Sequence, residues 1–208
     1  MKIAIIDYEV GNLANVYNAC QRLGVDGVIT RDKKIVQNAD VILLPGVGAI
    51  RDAVANLKKF DLVSLLRSEA AKGKFILGIC LGMQALYERS YEGGIYECLG
   101  LLPGEIVEFK TKLKVPHMGW NELEFQQDHW INRDLPEHPY VYFVHSYYKS
   151  PTDTADVIAV AQYGQPVPAI VGKDNVLGMQ FHPEKSGTVG AQLLKNVVDY
   201  IAKEDHLS

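Results

Sequence analysis

The sequence predicts an α/β fold in which helices flank a largely parallel central sheet. The apolar run 2–7 is followed by helical spacing and then by a second short strand, 27–30, which makes a β-α-β start. From Gly93 onward, glycine-rich turns separate short β-prone segments, which predicts an antiparallel extension. Because no low-complexity linker interrupts the 208 residues, we expect a single domain, residues 1–208.

Apolar periodicity places the remaining elements. Helical spacing predicts helices at 13–23, 62–70 and 189–201. Short apolar or β-prone runs predict further strands at 41–44, 74–79, 105–109, 120–125, 140–144, 157–161, 169–172 and 176–181. Cys20 lies on the apolar stripe of the first helix, so we interpret it as a core residue.

Composition excludes several classes of function. A net charge of −4 without a basic block argues against nucleic acid as a partner. Three cysteines are too few for a disulfide framework or a zinc site, which suggests a reducing compartment and no metal. The N-terminus enters a strand at once, and no apolar run approaches the roughly 18 residues that cross a bilayer. We therefore expect a cytoplasmic protein that needs neither a membrane nor a cofactor.

The segment Gly78-Ile79-Cys80-Leu81-Gly82 lies between a predicted strand and a helix predicted to begin at Leu81. It is the cysteine counterpart of the G-x-S-x-G nucleophile elbow, a sharp turn that raises one side chain above the sheet. The glycines fit a turn in which backbone segments approach closely. A thiol at a helix N-terminus favours the thiolate, although a lone cysteine in an apolar run is more often a core residue.

A thiol nucleophile needs a base, and the base needs a group that orients it. His182 follows a buried strand, and Glu184 lies two residues further, on the same side of an extended chain. An ordinary proline turn with a surface acid is the alternative for this motif. Because Cys80 and His182 both follow apolar strands, we predict a Cys80–His182–Glu184 triad at one sheet edge. Weaker candidates are the histidines of polar loops and the tail, His129, His138 and His206.

Three other motifs could carry chemistry. The turn 45–48, Pro-Gly-Val-Gly, follows strand 41–44 and could direct a backbone N–H into the site as an oxyanion hole requires, although such turns are common. The clusters 116–121 and 145–148 combine histidines with aromatic residues, which strand ends also do without any function. No nucleotide-binding glycine motif is present.

Segments 78–84 and 181–186 together resemble the class I (triad) glutamine amidotransferases, and the resemblance extends from Lys2 to the last helix. The turn 45–48, the two polar-aromatic clusters, Asp7-Tyr8 and Gly11-Asn12 are similar to the glutaminase subunits of imidazole glycerol phosphate synthases, which act in histidine biosynthesis. One departure is Glu9, where the family usually carries glycine. The resemblance implies the flavodoxin-like fold of this family.

The resemblance also implies a mechanism. Cys80 would attack the side-chain amide of glutamine, and His182 would protonate the departing ammonia and then activate water, with Glu184 as the third triad member. The turn 45–48 can require a flip before it contributes to the oxyanion hole. The positions that match oxyanion and glutamine-binding residues are Gly46, Val47, Gly48, Leu81, Gln84, Ser146 and Tyr147.

The implied partner is a (β/α)₈-barrel synthase subunit that forms a heterodimer with the glutaminase. Ammonia would pass through the barrel and react with a phosphoribulosyl formimino carboxamide ribonucleotide. The products would be imidazole glycerol phosphate and an aminoimidazole carboxamide ribonucleotide. The positions that match this interface are Asn12, Asn15, Trp120, Tyr142, His145 and Lys185.

Three alternatives stay open at this point. Glutaminases of pyridoxal phosphate or anthranilate synthases usually carry another oxyanion loop and lack the cluster 116–121. A silent scaffold would not need Cys80, His182 and Glu184 together. A cysteine hydrolase or stress protein on a related fold usually pairs its elbow cysteine with a histidine that directly follows it or lies nearby in sequence, whereas Leu81 follows Cys80 here.

Overall fold

A computed structural model describes residues 1–204 as three sheets and six α-helices. The strands are β1 (Lys2–Ile6), β2 (Asp26–Thr30), β3 (Val41–Leu44), β4 (Phe75–Ile79), β5 (Arg89–Ser90), β6 (Tyr96–Glu97), β7 (Glu105–Glu108), β8 (His117–Glu122), β9 (Glu124–Phe125), β10 (Tyr140–His145), β11 (Tyr147–Lys149), β12 (Val157–Gln162), β13 (Pro166–Lys173) and β14 (Val176–Met179). The helices are α1 (Leu13–Arg22), α2 (Lys33–Asn38), α3 (Ile50–Lys59), α4 (Leu62–Ala71), α5 (Leu81–Ala85) and α6 (Gly187–Glu204).

The central sheet has eight strands in the order β2-β1-β3-β4-β14-β13-β12-β9. The five strands from β2 to β14 are mutually parallel, and β13, β12 and β9 continue the sheet in antiparallel pairs. The predicted α/β fold with a largely parallel sheet and an antiparallel extension is confirmed. Two smaller sheets, β10-β8 and β11-β7-β5-β6, lie outside it.

Each face of the sheet carries a hydrophobic core because successive strand residues point to opposite sides. In β1, Ile6 joins a core that includes α3 and α4, whereas Ile5 joins a core that includes α1 and α6. Both isoleucines are fully buried. Cys20 is buried in the second core, which confirms its interpretation as a core residue. The two cores fix the sheet edge that carries the candidate site.

Some predicted element bounds were wrong. The predicted strand 120–125 is divided at Leu123 into β8 and β9, which belong to different sheets. Helices α2 and α3 and strands β5, β6 and β11 were not predicted. Helix α6 extends from Gly187 to Glu204, beyond the predicted bounds 189–201, and residues 205–208, which include the weaker candidate His206, lie outside the described residues. No helix within residues 1–204 has the length and apolar character needed to cross a membrane.

A buried ion pair lies in the antiparallel part of the molecule. Lys149 Nζ on β11 is 3.0 Å from Asp156 Oδ1, and the two side chains are 1% and 3% exposed. The Tyr87 hydroxyl donates to the second oxygen of Asp156 at 2.6 Å. This group, called here the lysine cluster (Lys149, Asp156 and Tyr87), connects the segment after α5 to β11 and to the start of β12.

Candidate active site

The chain makes a strained turn at Cys80 between β4 and α5. Cys80 has φ 53° and ψ −109°, outside the regions that side chains ordinarily favour. A Cβ on Gly78 would lie 2.8 Å from the Gly82 carbonyl oxygen, and a Cβ on Gly82 would lie 1.7 Å from the Leu44 carbonyl oxygen. The elbow therefore requires both glycines, as the sequence predicts.

His182 and Glu184 meet the thiol at the end of β14, the strand that pairs with β4. His182 Nδ1 is 2.8 Å from Glu184 Oε1, and both side chains are fully buried. The Cys80 thiol interacts with the imidazole, and Nε2 makes no ordinary hydrogen bond. The structure brings together the three predicted triad residues, called here the elbow cluster (Cys80, His182 and Glu184).

The electrostatics of the elbow cluster favour a charged imidazole. Burial lowers the pKa of His182, but its interactions with Cys80 and Glu184 outweigh burial and raise the pKa to about 9. Burial raises the pKa of Glu184, whereas hydrogen bonds from His182 and from Asn12 Nδ2, at 2.5 Å, lower it below its usual value. A carboxylate that faces a protonated imidazole is the arrangement that orients a catalytic base.

A cavity of about 310 Å³ opens beside the sulfur. Its wall includes Cys80 and six predicted site or interface residues, which are Val47, Gly48, Leu81, Gln84, Ser146 and Tyr147. His145, which was predicted at the partner interface, is 7% exposed and also lines this cavity. The volume is sufficient for one small polar substrate, because a water molecule occupies about 30 Å³.

One of the predicted oxyanion donors already has a hydrogen-bond acceptor in the structure. The Leu81 N–H donates to the Gly46 carbonyl at 3.3 Å and is therefore occupied by the turn itself. The Tyr8 hydroxyl donates to the Pro45 carbonyl at 2.5 Å. A Cβ on Gly46 would lie 2.6 Å from that hydroxyl, so only glycine fits under this contact. While this hydrogen bond is in place, the Leu81 N–H is not available to another acceptor.

Glu9, the predicted departure from the family pattern, has a backbone conformation that glycine would favour. Its φ of 61° is left-handed, a conformation that is strained for glutamate. Its carboxylate is 3.2 Å from Arg31 and 3.1 Å from Lys59, and these ion pairs hold the loop in place. The glutamate at position 9 therefore does not prevent the loop that precedes Asn12 from adopting a backbone conformation typical of glycine.

The predicted interface residues occupy several environments. Trp120 is 54% exposed and packs at 5.9 Å, between ring centroids, on Tyr142. Asn15 and Lys185 are exposed, and Asn15 donates to Asn12. The Tyr142 backbone carbonyl accepts the backbone N–H of His182 at 3.0 Å, which links this strand to the elbow cluster. Their role at an interface stays a prediction.

Three residues of the site were not predicted. Glu92 supplies an acidic group to the cavity wall, and its carboxylate accepts the Ile50 N–H at 2.9 Å. Gln180 is fully buried and directs Nε2 toward the sulfur at 3.9 Å, while its oxygen accepts from Gln84 at 3.0 Å. Tyr8 holds the oxyanion turn. Neither periodicity nor a local motif marks Glu92 and Gln180, whereas Tyr8 belongs to the pair Asp7-Tyr8 that contributes to the resemblance, although no role was predicted for it. Residues 1–204 contain no cluster of three or more side chains that could hold a metal.

A cysteine on an elbow, a buried imidazole and a buried carboxylate beside a cavity define the class of cysteine-dependent hydrolases with an α/β sheet. Comparison narrows the class. Residues 4–200 match the family described as "Glutamine amidotransferase class-I", so the chain belongs to the class I glutamine amidotransferase family. The prediction of an enzyme that hydrolyses glutamine is confirmed by this membership.

The chain is also similar to individual proteins. It is 49% identical over 199 residues to the imidazole glycerol phosphate synthase subunit HisH of Oceanobacillus iheyensis, covering 96% of this chain and 99% of that protein. It is 50% identical over 201 residues to the subunit of the same name from Lactococcus lactis, covering 96% and 99%. The solved structure of PurLQS from Thermotoga maritima superposes with a TM-score of 0.76 at 20% identity, covering 96% and 98%, which supports the fold.

Proposed function

We propose that this protein is the glutaminase subunit of an imidazole glycerol phosphate synthase and acts in histidine biosynthesis. The observation that carries the hydrolytic part is the elbow cluster, in which a buried imidazole–carboxylate pair adjoins a thiol at the wall of a cavity. Near-complete coverage of relatives with that subunit name supports the biosynthetic part.

In the first half of the proposed reaction, the Cys80 sulfur attacks the side-chain amide carbon of glutamine. The imidazolium of His182 then gives its proton to the departing nitrogen, which leaves as ammonia. The raised pKa of His182 supports this role because the imidazole is protonated at neutral pH and can give a proton to the departing nitrogen. The product on the enzyme is a glutamyl thioester.

In the second half, water attacks the thioester, and His182, now neutral, accepts the proton of that water. Glu184 keeps Nδ1 protonated, so that Nε2 faces the reacting atoms. Asn12 donates to the same carboxylate oxygen and fixes its position. Glutamate leaves and the thiolate is restored.

Glutamine would lie along the wall that Ser146 and Tyr147 form. Gln84 donates to the Tyr147 carbonyl at 2.9 Å and so holds that segment. We assign Glu92 to the α-ammonium of glutamine because a carboxylate at the wall of a partly closed cavity favours a cation. Val47, Gly48 and Leu81 would supply the oxyanion donors after the turn rotates.

The occupied Leu81 N–H supports slow turnover in the isolated subunit. Oxyanion stabilisation by one donor contributes about 10²–10³-fold to the rate of comparable reactions. As long as Gly46 accepts this N–H, the transition state lacks the donor. Binding of a synthase subunit would favour the rotated turn, and hydrolysis would then be coupled to the use of ammonia.

The proposed partner is a (β/α)₈-barrel subunit in a heterodimer. Ammonia that escaped into water would be protonated and would lose its nucleophilicity, so direct transfer into the barrel is required. The face that carries Asn12, Asn15, Trp120, Tyr142, His145 and Lys185 is the proposed interface. We also propose a cytoplasmic location, which the three free cysteines support.

The test measures glutamate release by the purified chain alone, with a barrel subunit from the same synthase, and with that subunit plus its ribonucleotide ligand. We expect slow release alone and strong stimulation in the last mixture. Trp120→Ala should weaken stimulation, and Tyr91→Ala, another exposed aromatic, is the matched control. Equal rates in all mixtures would overturn the coupling, and no release in any mixture would overturn the glutaminase.

A further inference from the structure

A buried histidine pair lies beside the cavity and has no part in the mechanism above. His117 on β8 and His145 on β10 are register partners in the two-stranded sheet, and they are 0% and 7% exposed. His117 Nδ1 lies 3.0 Å from His145 Nε2, so the rings are joined nitrogen to nitrogen. His145 also lines the cavity with Cys80.

The outer nitrogens of the pair both face acceptors. His145 Nδ1 is 2.8 Å from the backbone carbonyl of Tyr147, which can only accept. His117 Nε2 is 2.7 Å from Asn121 Oδ1. The orientation of that amide is fixed at its other end, because Asn121 Nδ2 donates to the Gln162 carbonyl at 3.0 Å. Both outer nitrogens therefore carry a hydrogen.

The two rings make three hydrogen bonds, one to the Tyr147 carbonyl, one to Asn121 and one to each other. These bonds need three ring hydrogens, whereas two neutral imidazoles supply only two. If the pair were neutral with both outer nitrogens protonated, His117 Nδ1 and His145 Nε2 would face each other as bare acceptors. One added proton between them removes this repulsion. Phe143 and Tyr163 stack on His117 at centroid distances of 4.6 and 4.0 Å, and aromatic faces stabilise a cation.

Burial opposes the added proton. It lowers the pKa of His117, and it lowers the pKa of His145 to about 3 despite the hydrogen bond to Tyr147, with His117 and His182 adding repulsion. The other titratable groups that face the pair are Cys80 across the cavity and the Tyr148 and Tyr163 hydroxyls around Phe109. The ion pairs within residues 1–204 include no carboxylate on either ring. The excess of hydrogen-bond acceptors thus favours the added proton, whereas burial disfavours it. We therefore expect the pair to bind and release this proton as the pH changes.

We propose that His117, His145 and Asn121 form a proton-binding site whose bound proton positions the glutamine-binding segment 146–147. His117 and Asn121 are positioning residues here, because they act through His145. The Tyr147 carbonyl accepts hydrogen bonds from His145 and from Gln84, and these two bonds hold the segment. Loss of one hydrogen bond among His117, His145 and Asn121 should weaken the first of them. The positioning role rests on the proposed function, since it assumes that glutamine binds at this wall.

The test is a pH titration of the full-length protein with ¹⁵N-labelled histidines, followed by NMR between pH 5 and 9. In the wild type, His117 and His145 should gain one shared proton in a single step as the pH falls. Asn121→Asp, which adds a carboxylate, should raise the midpoint by about one pH unit or more. Asn121→Leu removes the outer acceptor, so the neutral pair is satisfied and the step should disappear.

His138, which pairs with Glu122 at the surface, provides an internal reference signal in all three proteins. If both rings stay neutral with unchanged tautomers across the range in the wild type, the proton site is overturned, whether or not the protein hydrolyses glutamine.

The KM for glutamine, measured with the barrel subunit bound, tests the positioning role. In the wild type it should rise about 3- to 10-fold above the NMR midpoint, which corresponds to one hydrogen bond. In Asn121→Leu it should show no such step. A wild-type KM that does not follow the midpoint overturns the positioning role.

Discussion

The chain buries two clusters of charged side chains that differ in their surroundings. In the elbow cluster, His182 Nε2 and Glu184 Oε2 have no hydrogen-bond partner, and the sulfur borders a cavity. In the lysine cluster, ammonium and carboxylate are 3.0 Å apart and a tyrosine hydroxyl donates to the second oxygen. Both clusters lose hydration. Apart from their ion pair, Lys149 Nζ and Asp156 Oδ1 also have no hydrogen-bond partner, so unpartnered buried atoms do not distinguish the two clusters. What distinguishes the elbow cluster is a sulfur at the wall of a cavity.

The largest expected difference between the clusters is in the rate of glutamine hydrolysis. Cys80→Ser should reduce the rate at least about 10³-fold, because a serine hydroxyl is a much weaker nucleophile than a thiolate in this site. The assay is glutamate release with the barrel subunit present. Cys98→Ala, which changes a buried cysteine away from the cavity, should keep the rate. A Cys80→Ser protein with near-normal activity would contradict the assignment.

The lysine cluster should respond in stability instead. Asp156→Asn leaves the Lys149 ammonium buried without a countercharge, and it should lower the free energy of unfolding by about 3–5 kcal/mol. Urea denaturation measures this change. Asp199→Asn breaks an exposed pair with Lys195 and should change the free energy of unfolding by less than about 1 kcal/mol. Equal effects of the two substitutions would remove the distinction between them.

The elbow cluster should also make stability depend on pH. The pKa of His182 is about 9 in the folded protein, against 6.5 for a free histidine, so the native state holds its proton more tightly. This stabilisation is fully present below pH 6.5 and is lost as the pH rises through 9, a change of about 3 kcal/mol. Cys80→Ala should reduce this pH-dependent loss of stability, since the thiol helps to raise the pKa of His182. Denaturation at pH 6 and pH 9.5 tests this, and identical losses in both proteins would contradict it.

The smallest expected effect concerns substrate affinity at the cavity side of the elbow cluster. Glu92→Gln keeps an oxygen for the Ile50 N–H but removes the charge. We expect KM for glutamine to rise about 10- to 100-fold with kcat changed little, because the charge would pair with the α-ammonium in ground and transition states alike. Steady-state kinetics measure both constants. Glu97→Gln on exposed β6 is the control, and a fall in kcat without a change in KM would assign Glu92 a different role.

The meeting of Cys80 and His182 was predictable because each follows a strand of the parallel sheet, and β4 and β14 prove to be neighbours. Helix α3 was also within reach of sequence analysis, since its buried residues Ile50, Ala53 and Val54 recur at helical spacing. The contact of Asn12 with Glu184 was not, because no local pattern specifies a hydrogen bond across 172 positions.

The state of the oxyanion turn was likewise beyond the sequence. The motif Pro-Gly-Val-Gly permits several backbone paths, and the choice depends on contacts that other segments supply. Here the Tyr8 hydroxyl and the Leu81 N–H hold it. Glu92 reaches the cavity from the loop after β5, whose two-residue strand is too short to produce a periodic signal.

The close approach of Gly82 to strand β3 limits which core substitutions this enzyme can accept during evolution. An added methyl group would lie 1.7 Å from the Leu44 carbonyl oxygen, so the elbow rests directly on the neighbouring strand. The distance between β3 and β4 therefore sets the height of Cys80 above the sheet. Substitutions in the core that shift β3 relative to β4 should therefore lower the activity, even though every candidate site residue is unchanged in sequence.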